Sequence, residues 1–483
     1  MILSPQSAAI AIYISLLFLI GFWSHKKHQT ATDFILGSRS LNFYTTALAA
    51  HASDMSSWLF MAFPAMIFLQ GVINAWVGIG LIVFMLLNWI LVAPKVRIQT
   101  EVYNSLTFSS FFESRFHDTS GLIRLFTAAL CLIFYSVYIS AGFVAIGTVD
   151  EILFNIPYHF GTTLGLFIVL PYLFIGGYLT LAWLDLFQGL FLIVVIALVP
   201  FIMLPQIGGM EGIATSLRAH FLSDSLLPNT SLATWLSIAT LFFGWGIGYF
   251  GQPHIITKFM GIKDPSEIKK SACIGITWQT IAIGSATFIG LIGIAYFSHT
   301  GLSNPELVFI EMVRQAFPPF IMAFILCAVI AATISTIDSQ ILVLASSLTE
   351  DVYKRLFRKT ASSKELLAIS RLFVFLVSML AYLVAFFKIS TIYSLVSYAW
   401  SGLGASFGPL LIFSLWSKTI NRYGAWAGLL IGGITVIIWP LINDSFSLSI
   451  FPLIPGFLFS SLAICIVSWL TRSKCHPMHL GDR

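Results

Sequence analysis

Charge is what this 483-residue chain lacks. Only 9% of its residues are Asp, Glu, Lys or Arg, while 58% are hydrophobic. Soluble domains carry roughly 25% charged residues, so most of the chain has no water-facing surface to decorate. The 44 phenylalanines against 20 acids suit side chains solvated by lipid. Cysteine is sparse too: Cys131, Cys273, Cys327, Cys465 and Cys475 show neither metal-ligand spacing nor a disulfide framework. Four of them lie in apolar stretches, where cysteine behaves as a small hydrophobe. HExxH, GxSxG, a Walker loop and a Cys/His metal cluster are all missing, and no nucleophile–base pair emerges, which argues against an enzyme.

What is present is a succession of apolar runs. Thirteen are long enough to cross a bilayer, near residues 6–23, 41–70, 74–93, 122–148, 161–178, 182–204, 232–257, 272–298, 319–348, 367–387, 391–415, 424–440 and 449–470. The first run lacks the basic leading region of a signal peptide, since Lys26 and Lys27 follow it, and reads as a retained span. With the start outside, alternation places all Lys and Arg on the inner side except Arg218, Arg314 and Lys388. That split obeys the positive-inside rule and predicts an all-α integral membrane protein, N-out and C-in. The basic loop from Lys354 to Arg371 fits the same rule, without a nucleic-acid partner. The expected location is the inner or plasma membrane, with the lipid bilayer as solvent and no sizeable soluble domain.

Two runs are interrupted. AAHASDMSSW breaks 41–70 with Ser, His and Asp, and GWGIGYFGQPH breaks 232–257 with four glycines and a proline. Freed backbone groups at such breaks are tolerated where they line a cavity. In transporters, a matching pair of broken segments in the two halves marks the binding site. Each break opens a run of five helices, 41–204 and 232–415. Five is odd, so the second run enters from the opposite side, the arithmetic of a five-plus-five inverted repeat. Residues 1–483 then form one transmembrane domain, with an extra helix at 6–23 and two more within 424–470.

Acids at membrane depth are costly unless paired, solvated or protonated. Asp54, Asp185 and Asp338 are such acids, whereas Glu350 and Asp351 are placed at an inner end. AATISTIDSQ (331–340) has oxygen chemistry suited to a small hard cation. Ala332 and Ser335 share a helix face, Thr336 adds a hydroxyl, and the break near Ala52 to Met55 would present carbonyls. The alternative is that Ser335 and Thr336 bond back to the preceding turn. Ser335, Asp338 and Ser339 also point together and, with Asp185, could make a second cation or proton site. His51 and His254 are isolated and read as packed histidines rather than proton carriers.

LGSRSLNFYTTALAAHASDMSSWLFMAFPAMIFLQGV, GWGIGYFGQPHIITKFMGIKDPSEI, STIDSQILVLASSLTEDVYK and SYAWSGLGASFGPLLIFSLWS, in order from near residue 30 to IPGF at 454–457, resemble the sodium:solute symporter family, most of all its bacterial sodium/proline branch. The resemblance implies a leucine-transporter-type core working by alternating access, with sodium as coupling ion and no other cofactor. It implies a sodium site of Ala52, Met55 and Ala332 carbonyls with Ser335 and Thr336 hydroxyls. It implies a proline pocket of Ser56, Tyr138, Trp245, Tyr249 and Pro253, and coupling or gating roles for Arg39 and Asp54. Asp185 matches an acid that, in a sialic-acid-transporting branch, forms a second sodium site with serines of the 319–348 helix. His51 and Ser57 stand where proline-type relatives have glycine, and Asp338 where a serine is expected. These departures keep proton coupling and another substrate, such as pantothenate, open beside a substrate sensor that does not transport.

Overall fold

The computed structural model describes residues 4–24 and 31–472. Lys26, Lys27, Lys474 and Arg483, which entered the charge argument, and Cys475 lie outside the described residues. In chain order the helices are α1 (Pro5–Ser24), α2 (Ala31–Leu36), α3 (Phe43–Met55), α4 (Ala62–Gln70), α5 (Ala75–Leu87), α6 (Ala93–Val102), α7 (Phe108–Arg115), α8 (Leu122–Phe154), α9 (Tyr158–Met203) and α10 (Gly209–Ala219). They continue with α11 (Leu232–Gly246), α12 (Pro253–Met260), α13 (Ile268–Tyr296), α14 (Val308–Ala316), α15 (Pro319–Ser347), α16 (Ser363–Phe386), α17 (Ile392–Trp416), α18 (Arg422–Phe446) and α19 (Leu453–Leu470). No strand occurs among the described residues beyond one isolated bridge, Leu41 to Ile262.

Eleven helices among the described residues are long and apolar enough to cross a membrane, or twelve if one bent pair counts as a single span. Their outer faces carry bare aromatic and aliphatic side chains such as Phe22, Phe201 and Leu441. Apolar surface of that extent belongs in lipid. The expected division of 161–178 from 182–204 falls within α9, which is two helical segments joined at a non-helical residue. It kinks at Gly177, whose φ of 62° suits a residue without Cβ. The part before the kink, Tyr158–Pro171, is apolar but shorter than a full span. Elsewhere helices outrun the apolar patterns: α5 runs through a π turn at Asn88–Val92 into α6, and α15 runs through another to Phe357.

Both interruptions are real breaks. α3 ends at Ser56, which takes φ 44° and ψ −169°, and the chain resumes through a 3-10 turn into α4 with a bend of 67°. α11 passes through a 3-10 turn (Ile247–Gly251) and the extended Gln252 before Pro253 opens α12. Proline suits that first helical position because its missing N–H would have no intrahelical acceptor. The 3-10 turn packs flush on α17: a Cβ on Gly251 would lie 2.7 Å from both Gly404 Cα and Gly408 N. The two broken segments also meet directly. Leu41 N–H donates to the Gly261 carbonyl at 3.1 Å and Lys263 N–H to the Leu41 carbonyl at 2.8 Å.

Candidate functional site

α15 runs past the first break with its hydroxyl face turned to it. Ser335 Oγ donates to the Ala52 carbonyl at 2.8 Å and to its own helix at Ala332 O, 3.0 Å. Thr336 Oγ1 donates to Ala332 O at 3.1 Å and accepts from Ser56 N–H at 3.1 Å. The back-bonded and cross-break readings therefore coexist. Two carbonyls and two hydroxyls from α3 and α15 converge, all buried, and such neutral oxygens are what a small hard monovalent cation takes. Met55 is buried at the same helix end.

One turn further lies a central cavity of about 20 Å³, lined by Asp54, Met55, Trp58, Leu81, Tyr138, Trp245, Tyr249, Val396 and Trp400. Its polar centre is a chain: Gln279 Nε2 donates to Tyr249 Oη at 2.9 Å, and Tyr249 donates to Asp54 Oδ2 at 2.5 Å. Asn88 fixes the break from behind by donating to the Tyr249 carbonyl at 3.1 Å. The aromatic walls brace one another. Trp58 and Trp245 rings sit 5.0 Å apart, Tyr249 meets Trp400 edge-on at 5.1 Å, and Trp400 Nε1 donates to the Trp245 carbonyl at 2.9 Å.

Of the expected pocket residues, Tyr138, Trp245 and Tyr249 line this cavity. Ser56 borders a smaller one beside it, shared with Tyr138 and Thr336. Pro253 faces neither; it lines a separate cavity with Thr107, Thr257 and Ser347. Trp58 and Trp400 escaped the sequence reading, although SDMSSW and SYAWSG carry them. A lone Trp in an apolar helix has no pattern that separates a pocket wall from a lipid-facing ring.

Arg39, with φ 53°, is a latch. Its guanidinium donates to the carbonyls of Met260 (2.7 Å), Thr100 (3.0 Å) and Ser105 (2.9 Å) and to Thr100 Oγ1 (3.2 Å). It thereby ties the entry to α3 to the ends of α12 and α6. Burial, and then the neighbouring Arg97 charge, pull it below the usual arginine range.

The two departures at the first break are accommodated. His51 lies between Trp89, whose Nε1 donates to His51 Nε2 at 3.2 Å, and Trp278. Room for the imidazole comes from α13, where a Cβ on Gly275 would stand 2.3 Å from His51 Nε2. The positive φ falls on Ser56, not Ser57, so a side chain at 57 strains nothing.

The acidic residues sort differently from expectation. Asp185 is ion-paired with Lys258 at 2.8 Å, and the Ser339 hydroxyl faces the same carboxylate. Asp338 is buried on the same helix as Ser339, within electrostatic reach of Tyr13 on α1. Lys258 and Arg97, counted as loop charges, are buried. Asp351, placed at a solvated end, is buried and receives hydrogen bonds from Thr107 (2.9 Å) and Ser347 (2.7 Å), with Arg124 at 3.4 Å. Asp150 joins the buried acids because α8 continues past it to Phe154.

A multi-pass helical bundle with paired helix breaks, an oxygen cluster and an aromatic cavity defines a membrane transporter of the carrier class. The chain matches the sodium:solute symporter family over residues 34–432 and belongs to that family. It is 41% identical to the high-affinity proline transporter PutP of Bacillus subtilis (strain 168), covering 95% of this chain and 96% of that one. It is 37% identical to the sodium/proline symporter of Escherichia coli (strain K12), covering 98% and 95%. Among solved structures, a Na+-coupled sialic acid symporter in its substrate-bound outward-open state superposes with a TM-score of 0.82 at 18% identity, covering 98% of both chains. MhsT in complex with L-phenylalanine gives 0.56 at 16% identity, covering 88% of this chain and 98% of that one.

Proposed function

We propose that this protein is a secondary active symporter that imports L-proline driven by sodium. The observation that carries the reading is the junction at the first break. The oxygens of Ala52, Ala332, Ser335 and Thr336 sit one helical turn from a cavity walled by Trp58, Trp245, Tyr249 and Trp400. Sodium at the oxygens, with Met55 completing the ligands, would fix the end of α3. That in turn positions Asp54 at the pocket and Ser56 at the smaller cavity beside it. Aromatic faces suit an apolar pyrrolidine ring, and the N–H groups of a helix break suit its carboxylate once they exchange their present partners for it.

A cavity of about 20 Å³ holds about one water. Proline therefore enters only when the aromatic walls separate, and the Tyr249–Asp54 hydrogen bond is placed to sense that movement. Pro253 acts by fixing where α12 begins, and Arg39 by latching the ends of α6 and α12 together.

The chain is one unit of thirteen crossings, N-out and C-in. Its repeats, 41–204 and 232–415, are related by inversion and flanked by 6–23 and by the two helices of 424–470. The two breaks, each at the head of its repeat, support that division. Calorimetry tests the reading: purified protein should bind proline in sodium but not in potassium at equal ionic strength. Proline binding indifferent to the cation refutes it.

A further inference from the structure

The Lys258–Asp185 ion pair has no part in the sodium and proline sites described above. Nζ lies 2.8 Å from Oδ2, and the two side chains are 2% and 1% exposed. Lys258 sits on α12, the helix that follows the second break, and Asp185 on α9, beyond the Gly177 kink. The pair thus joins two elements whose approach is already close. Tyr178 Oη donates to the Thr257 carbonyl at 3.0 Å, and the Tyr178 ring lies 5.4 Å from Lys258 Nζ. Ser339 of α15 faces the carboxylate from the third side.

A buried carboxylate with a hydroxyl beside it is the setting in which a hard cation binds. Here the ammonium already stands where that cation would sit. A second positive charge on the same carboxylate would meet strong repulsion in a low-dielectric interior. Removing the ammonium would leave a buried, uncompensated carboxylate that must take up a proton or another cation.

We propose that the Lys258 ammonium is a tethered cation that holds the Asp185 carboxylate in place of a second coupling sodium, so that its removal unmasks a sodium site at Asp185 and Ser339. The inference rests on the sodium-symport reading and adds the ion count: one sodium per cycle, the second charge being carried by the protein.

Equilibrium binding of radioactive sodium to the purified full chain, with proline present at constant pH, tests it. Wild type should bind one saturable sodium per chain, Lys258→Gln two, and Lys258→Gln combined with Asp185→Asn one again. Lys258→Ala should also bind two, and methylammonium, a free stand-in for the lost side chain, should displace one of them without touching the sodium of the wild type. Two sodium ions on the wild type overturn the proposal, as does a single sodium on both Lys258 variants. No sodium on the wild type would instead contradict the symport reading itself. If neither Lys258 variant can be purified, a count of two on the wild type still overturns the proposal.

Discussion

The Ser335 hydroxyl reaches across from α15 to donate to the Ala52 carbonyl at 2.8 Å, joining the helix of the second half to the broken helix of the first. Sodium binding at this point would replace the hydrogen bond with a pair of ion–oxygen contacts. The two halves would then be held by the ion rather than by the hydroxyl proton. Coupling would follow from that exchange, because α3 carries Asp54 into the aromatic cavity and leads to Ser56 at the smaller one beside it.

Loss of either hydroxyl should weaken sodium first. Thr336→Ala and Ser335→Ala are each expected to raise the half-saturating sodium concentration for uptake by about tenfold or more, equivalent to at least roughly 1.4 kcal/mol of binding. Unchanged sodium dependence in both variants would remove these residues from the ion site.

Tyr249 should matter to substrate more than to ion. Tyr249→Phe keeps the ring and deletes the 2.5 Å hydrogen bond to Asp54. A hydrogen bond to a charged group contributes about 1.5–3 kcal/mol, so proline Kd should rise by about tenfold or more by calorimetry. Tyr249→Ala, which also removes the ring, should bind more weakly still while being produced at normal levels. Equal affinity in all three proteins would place the substrate elsewhere.

Arg39 is held by a planar fork spread over four acceptors that an ammonium cannot match. Arg39→Lys should lower the maximal uptake rate by about tenfold and leave sodium binding to purified protein unchanged. A change in sodium affinity of the same size would mean that Arg39 acts on the ion site rather than on the latch.

His51 and Gly275 should be energetically coupled. Gly275→Ala forces a Cβ to 2.3 Å from the imidazole, and overpacking of this kind costs about 1–3 kcal/mol. Thermal unfolding in detergent should show a lowered Tm for Gly275→Ala that Gly275→Ala with His51→Gly largely restores. Additive losses would show that the two positions do not share the space.

Much of this was legible in composition and punctuation. Interrupted apolar runs located both breaks, because Ser, His and Asp around 51–57 and the glycines of 244–251 are intelligible in a membrane only where a helix opens. The hydroxyls of Ser335 and Thr336 stood out by their oxygen chemistry in an apolar helix, although spacing alone did not separate a cation site from bonds back to the preceding turn. What escaped was whatever depends on where a helix stops. Asp351 looked solvated, and Asp150 fell beyond the expected end of its span at 148, because hydropathy fades before the helices do; α8 and α15 bury them by running on. Lys258 looked like an inner loop charge because it follows an apolar run. Its partner Asp185 is 73 residues away, and no local pattern joins them. The walls supplied by Trp58 and Trp400 depend on three helices meeting, which single-helix periodicity cannot express.

The central claim is tested most directly by uptake of radiolabelled proline into proteoliposomes under three conditions: an inward sodium gradient, an inward proton gradient, and no gradient. Sodium-coupled symport predicts transient accumulation above equilibrium with the sodium gradient alone, and mere equilibration in the other two. Accumulation driven by the proton gradient without sodium, or no accumulation under any gradient, would contradict it.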